Sequence, residues 1–168
     1  ETGKHFPRTL KYRTQLITHL GLTDVRNQYS DAADIKLSDP NGNLWEENPD
    51  QCCYIRKVLP LKKALRPFDA WVTGRKRFQS ESRTTLDPIE FDETHIKINP
   101  LALWDAARVS DYLRARNLPK HPLVDLGYPS IGCAPCTRAV GEGESLRDGR
   151  WSGRAKTECG IHKVVEGR

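Results

Sequence analysis

Apolar positions along the chain switch between two periods, and each switch marks an element. Leu10, Leu16, Ile17 and Leu20 fall on one helical stripe. Pro7 suits the first turn of that helix, where its missing N–H costs nothing, and Gly21 supplies a stop. The stretch "DVRNQY" (24–29) reads as a short strand, and "SDPNGN" (38–43) as a turn by composition. A second helix is predicted from Asn48-Pro49-Asp50 through Cys52 and Cys53 toward Leu59. Pro60 bends or restarts it, and "LKKAL" (61–65) continues it. "FDAWVTG" (68–74) reads as a buried strand closed by glycine. Ile89 and Phe91 alternate, as do Ile96 and Ile98, which predicts a hairpin or two short strands. Ala106, Val109, Tyr112 and Leu113 mark a third helix, ending near Asn117-Leu118-Pro119.

Helices alternating with strands place the chain in the α/β class. From about Lys120 the periodicity dissolves. "HPLVDLGYPSIGCAPC" and "GEGESLRDGRWSGRAKTECGIH" are rich in glycine and proline, and such long irregular stretches tend to be functional or disordered. The expected division is therefore 1–119, part of an α/β domain, and 120–168, a loop-rich tail. No repeat is visible.

Composition changes this picture little. Of 168 residues, 37% are hydrophobic and 29% charged, as in ordinary soluble globular chains. No apolar run approaches a membrane span, and no secretory signal pattern opens the sequence. A cytoplasmic protein without membrane association is expected. The net charge of +5 admits nucleic acid, but the basic residues form no long block, and a small anionic ligand fits as well. There is no methionine, and the opening "ETGKHFPRTL" looks like a loop running into a helix, so the expectation is a segment that begins inside a domain.

The five cysteines carry the chemistry. Disulfides are disfavoured in an intracellular chain of this size, and neighbours such as Cys52 and Cys53 bridge only with strain. "CAPC" (133–136) follows a loop, whereas a thioredoxin-type redox pair opens a helix after a strand. Together with "CC" it makes four thiols in two clusters about 80 residues apart. Four thiolates suit an iron–sulfur cluster or a structural zinc. A contiguous Cys-Cys half is awkward for one zinc ion and easier for a cubane, whose ligands reach separate irons; unrelated thiols are the third reading. Cys159 stands apart. A buried inert thiol is the usual explanation for such a residue. Against it, Arg154, Lys156, His162 and Lys163 surround it, nearby cations favour the thiolate, and Gly160 lets a partner approach. That makes Cys159 a candidate nucleophile.

Several segments together resemble one family. "CC" followed by "RK" and "PL", "DAWVTGRKRFQSESR", "KINPLALW", "HPLVDLGYPSIGCAPCT", "GRW" and the closing "KTECGIH" resemble, in order, the assimilatory adenylyl-sulfate (APS) reductases of the phosphoadenylyl-sulfate (PAPS) reductase family. The closing K-x-E-C-G-[IL]-H is that family's hallmark, and CC…CxxC marks its cluster-containing branch. The resemblance implies a parallel-sheet domain of the adenine-nucleotide α-hydrolase (PP-loop) type with a loop-rich C-terminal tail. It implies one 4Fe–4S cluster on Cys52, Cys53, Cys133 and Cys136. It implies Cys159 as the catalytic nucleophile, forming S-sulfocysteine from APS, with reduced thioredoxin or a similar dithiol protein releasing sulfite. Lys57, Arg83, Arg147 and Arg150 become candidate contacts for the phosphosulfate, and His162 a candidate for tuning Cys159. Lys57 lies one helical turn past Cys53, so it can share that face.

Two alternatives stay open. One is a cluster-bearing enzyme that accepts PAPS; the other is a zinc-binding protein associated with nucleic acid. A homo-oligomer is compatible with either enzymatic reading. The family's glycine- and serine-rich phosphate loop has no match here, so the N-terminal strands that carry it are expected to be missing, with much of the adenosine pocket.

Overall fold

A computed structural model describes residues 1–92 and 94–162. The chain divides into two compact units. The first joins residues 1–64 to 121–162; the second covers 65–120, with the final residues 163–168 outside the described part. Lys163 of the basic tail therefore lies outside the described residues.

The first unit begins with an irregular segment that leads into α1 (Pro7–Leu20). Pro7 occupies the first turn, and Gly21 closes the helix at φ 61, where its lack of a Cβ is needed. The Leu22 N–H then returns to the Ile17 carbonyl. Residues 24–29 form no strand, contrary to the sequence expectation. The stretch is polar and largely exposed; Arg26 is spent on Asp24 two residues away. The chain continues through α2 (Ala32–Ser38), capped by Asp31 on the Ala33 N–H, and the short α3 (Leu44–Glu47).

The element that carries the first cysteine pair starts at α4 (Pro49–Cys53). Asn48 caps it by accepting the Gln51 N–H, and Pro49 takes the first turn. The helix then widens into a π turn over Tyr54–Val58 and resumes as α5 (Leu59–Leu65). The cause is legible. Pro60 has no N–H to give and its ring would collide with the carbonyl four residues back. The chain takes an i+5 turn immediately before it, and the Leu59 N–H reaches the Tyr54 carbonyl. Such π turns often accompany functional positions. The core of this unit is Leu44, Cys52 and Ile55, with Ile35, Trp45 and Leu59 packed against it.

The second unit holds a three-stranded sheet in the order β1-β3-β2: β1 (Ala70–Val72), β2 (Ile89–Phe91) and β3 (Ile96–Ile98). β1 pairs with β3 in parallel, and β2 pairs with β3 antiparallel, as the alternating isoleucines predicted. The strand within 68–74 is not buried, and this corrects the sequence reading. Its three residues offer only Trp71 to the covered face, and Val72 is 67% exposed. The covered face instead carries a polar network. Asn99, fully buried, donates to Glu90 and to the Asp87 carbonyl, and accepts from Thr73 and Arg75. α6 (Ala106–Ala115) closes the unit, capped by Asp105 on the Arg108 N–H. Among the described residues no helix is long and apolar enough to cross a membrane.

Asp92 and Lys97 anchor this sheet. The Lys97 side chain, only 4% exposed, lies 2.9 Å from Asp92. Burial alone would raise the Asp92 pKa. Lys97, the Thr94 hydroxyl and the His95 N–H outweigh burial and bring it from 3.8 to about 2. A carboxylate whose pKa is depressed on folding contributes stability above its unfolded value and loses it as pH falls through the folded one. Asp92→Asn should therefore cost about 3 kcal/mol at neutral pH by removing a carboxylate from beside the buried Lys97 ammonium. The difference from the parent should shrink as pH falls from about 4 toward 2 in urea unfolding series.

Candidate active site

Four segments of the first unit meet at one cavity. Its wall is Lys4, Trp45, Pro49, Cys52, Cys53, Arg56, Lys57, Cys133 and Cys136. The two cysteine pairs, 80 residues apart from Cys53 to Cys133 in the chain, thus share a cavity. The helix supplies one pair, and the tail supplies the other around a single 3₁₀ turn (Ala134–Cys136). Cys52, Cys53 and Cys133 are buried and Cys136 half-buried, and all are free thiols. Among the described residues no three His, Cys, Asp or Glu side chains close on one point as a single metal ion demands.

The N-terminal segment fastens the second pair in place. The Ala134 N–H donates to the Lys4 carbonyl at 2.7 Å, and His5 bridges Cys133 through the backbone. The Thr2 hydroxyl lies 3.4 Å from Cys133 Sγ. The Lys4 ammonium donates to the Gly42 carbonyl. Arg56, from the π turn, joins three pieces of chain: it donates to the Thr2 carbonyl at 2.8 Å and to the Asp39 carboxylate at 2.6 Å. Asp39 also accepts the Leu44 N–H. Burial works against its charge, yet the Leu44 N–H and Arg56 hold its pKa below the ordinary value.

The electrostatics follow from burial and from the basic rim. Burial pushes the Cys52, Cys53 and Cys136 thiols up, and their neighbouring sulfurs add to it. Cations oppose the effect: Arg56 at Cys52, Lys57 and Lys156 at Cys53, Lys57 and Arg150 at Cys136. Lys57 itself shows the reverse balance. Burial disfavours its charge, but Cys133, Cys53 and Cys159 outweigh that and raise its pKa. Arg150 is lowered by burial, against the pull of Cys159, Cys133, Cys136 and Cys53.

The tail returns Cys159 to this same place. It is half-buried and interacts with Cys53, Lys57 and Arg150. Gly160 sits at φ 86, and a Cβ there would meet Val58 Cγ2, at the end of the π turn, at 3.7 Å. Arg147 donates to the Thr157 carbonyl and to Glu158, Lys156 pairs with Asp50 on α4, and Arg154 donates to the Glu46 carbonyl. Lys57, Arg150 and Cys159 are thus in one neighbourhood with the clustered thiols. Arg147 reaches Thr157 and Glu158, just before Cys159, and His162 is half-buried in the tail. Arg83 belongs to the second unit, in the 3₁₀ turn Glu81–Arg83, where it donates to Gln79.

Sequence reading overlooked several neighbours. Thr2 and Lys4 carry no motif of their own. Trp151 stood in the quoted "GRW" without a role; it is 3% exposed, sits at φ 46, and faces both Arg150 and Lys156. A bulky residue at positive φ signals local strain of the kind found at functional sites.

Comparison with known proteins fits this geometry. The profile of the phosphoadenosine phosphosulfate reductase domain matches residues 1–139. The chain belongs to that family. It is 51% identical over 162 residues to an adenosine 5′-phosphosulfate reductase of Mesorhizobium japonicum, across 96% of this chain and 64% of the relative. It is 42% identical to the enzyme of that name from Mycobacterium tuberculosis, across 96% of this chain and 65% of the relative. It is also 43% identical to a phosphoadenosine 5′-phosphosulfate reductase of Gloeobacter violaceus, across 96% and 69%. The chain thus spans about two thirds of the length of these curated relatives. Among solved structures, the phosphate complex of PAPS reductase from Candida auris superposes with a TM-score of 0.62 at 29% identity, covering 80% of this chain and 67% of that one. The α/β fold expected for a PAPS reductase relative is therefore established.

Within this family member, the Arg56–Asp39 pair is the mechanical tie of the site. The side chains are 11% and 0% exposed. Arg56→Ala should cost about 3–5 kcal/mol in urea unfolding, because it strands a buried carboxylate. Arg56→Lys should recover only part, since one ammonium cannot bridge both partners as the planar fork does.

Proposed function

We propose that this chain reduces adenosine 5′-phosphosulfate to sulfite and AMP, with Cys159 as the nucleophile and thioredoxin as the reductant, in cytoplasmic sulfate assimilation toward cysteine. The observation that carries the reading is the return of Cys159, from the end of the chain, to the rim of the four-thiol cavity beside Lys57 and Arg150. The names of the APS reductase relatives supply the substrate.

The reading assigns residues 1–119 to the C-terminal part of the α/β reductase domain and 120–168 to a tail with the second cysteine pair and the nucleophile. The Cys159 thiolate attacks the sulfonyl sulfur. The bond from that sulfur to the bridging phosphate oxygen breaks, AMP leaves with the electron pair, and Cys159 becomes S-sulfocysteine. A thiolate of reduced thioredoxin then attacks Cys159 Sγ and expels sulfite. Its second thiol resolves the mixed disulfide, returning Cys159 and leaving thioredoxin oxidised. Lys57, Arg147 and Arg150 bind the anionic phosphosulfate, the arginines through planar forks that match oxyanions. Lys57 is held charged by the sulfurs around it, which suits that work. His162 tunes Cys159.

One 4Fe–4S cluster fits the donor set, because the cavity wall offers four thiols and no imidazole or carboxylate. When bound on Cys52, Cys53, Cys133 and Cys136 it supplies a structural anchor and a fixed charge beside the substrate. The electrons for reduction come from thiols.

A second substrate has support in the names of the Gloeobacter relative and the Candida structure, both PAPS reductases. The two substrates differ by a 3′-phosphate, and the ratio of their kcat/KM values decides between them; the reading here expects APS to be favoured. The mechanism has its own test. With APS and no thioredoxin, the peptide containing Cys159 should gain the mass of a sulfonate. Retained turnover with thioredoxin in Cys159→Ser would refute it.

A further inference from the structure

We propose that Gly132 is a positioning residue for Arg150: its missing side chain is the space in which the guanidinium lies, over the Trp151 ring and beside Cys159. The proposal rests on the reading of Arg150 as an oxyanion contact and deepens it.

Gly132 directly precedes the second cysteine pair, yet its backbone does not need glycine. Among the described residues seven glycines sit at positive φ, and Gly132 is not one of them. The requirement is space. A Cβ at 132 would stand 2.1 Å from Arg150 Nη2, 2.4 Å from its Cζ and 3.0 Å from its Nε. The guanidinium also lies over the Trp151 ring, its Cζ 4.5 Å from the ring centroid. The planar group is therefore fitted against both an absent side chain and an indole.

The backbone around it is rigidly placed. Thr137 and Arg150 form an antiparallel bridge, and the Trp151 N–H donates to the Cys136 carbonyl at 3.0 Å. The strained φ of Trp151 turns the indole inward beneath the guanidinium, where it is almost fully buried. The guanidinium meanwhile spends few of its five donors. Nη1 lies 3.5 Å from the Ser130 hydroxyl, at the limit of a hydrogen bond, and the buried Nε has no hydrogen-bond partner. Shape rather than hydrogen bonding fixes it. A fork fixed that way keeps its donors for an incoming oxyanion and pays little ordering cost on binding.

The contrast with Gly149 sharpens the point. A Cβ there would meet the Arg138 carbonyl at 2.3 Å, so Gly149 serves the backbone itself. At Gly132 the obstructed atoms are the far end of a flexible side chain. Alanine should therefore displace the guanidinium and leave the backbone standing.

The test is a double-mutant cycle on the purified protein, with matched metal content, using inorganic sulfate as the probe in calorimetry. Gly132→Ala and Arg150→Ala should each weaken sulfate binding by about tenfold, and the double variant should bind no more weakly than Arg150→Ala alone. Gly149→Ala, by comparison, should lower stability whether or not Arg150 is present. A cost of Gly132→Ala that persists in full in the Arg150→Ala background overturns the proposal. A parent that binds no sulfate refutes the anion role of Arg150. The positioning claim is then read from near-ultraviolet circular dichroism, to which Trp151 contributes with the other aromatic side chains, taken as a difference from the Trp151→Phe background. The difference that Gly132→Ala makes should vanish in the Arg150→Ala background; no difference in the parent background, or one that persists, overturns it.

Discussion

The buried pair of Arg56 and Asp39 is the constraint on which the site depends. A guanidinium in the π turn, one turn beyond Cys52, grips a carboxylate on one side and the Thr2 carbonyl on the other. Thr2 in turn touches Cys133, and Lys4 receives the Ala134 N–H. The two cysteine pairs come from distant parts of the sequence, and neither has a regular element that would align it with the other. Their common cavity exists because the N-terminal segment is fastened to both. A buried ion pair is a poor source of net stability, since desolvation offsets the attraction, but breaking it is expensive. That asymmetry makes it suited to fixing one geometry.

Charge organises the next layer. Burial alone would leave the Cys52, Cys53 and Cys136 thiols protonated and poor as ligands. Lys57, Lys156, Arg56 and Arg150 oppose that tendency, and the sulfurs hold Lys57 charged in return. The same cations form the rim to which the tail brings Cys159. A set of positive charges gathered to balance sulfur is also a set able to receive a doubly anionic phosphosulfate. On this account the ligand set and the substrate site share one electrostatic design, which is why the nucleophile needs only to be delivered beside it. The tail is delivered by Arg147, Arg154 and Lys156, each attached to a different point of the first unit or of the tail itself.

Much of this was legible in the residues, and the rest failed for physical reasons. Helices α1 and α6 and the β2–β3 pair follow from local period and caps, so pattern alone finds them. The helix of Cys52 and Cys53 was expected to bend at Pro60; that the bend is a π turn depends on how one carbonyl avoids one ring, which no period encodes. Residues 24–29 read as a short strand by sequence, but a strand needs a neighbour to pair with, and pairing is not a local property. "FDAWVTG" looked buried because it is apolar; the sheet is covered on the face of Trp71, Glu90 and Lys97, and Phe91 on the opposite face is 71% exposed. At the site, the cysteines and nearby cations were marked by type and motif. Thr2, Gly132 and Trp151 were not, because their parts lie in a carbonyl, an absent side chain and a backbone angle.

Anaerobic purification followed by iron, sulfide and zinc analysis decides whether the two cysteine pairs form one ligand set for a cluster. A brown protein is expected, with iron and inorganic sulfide in roughly equal amounts, both lost on replacing either cysteine pair with serine. A colourless protein carrying a single zinc ion would contradict a shared cluster.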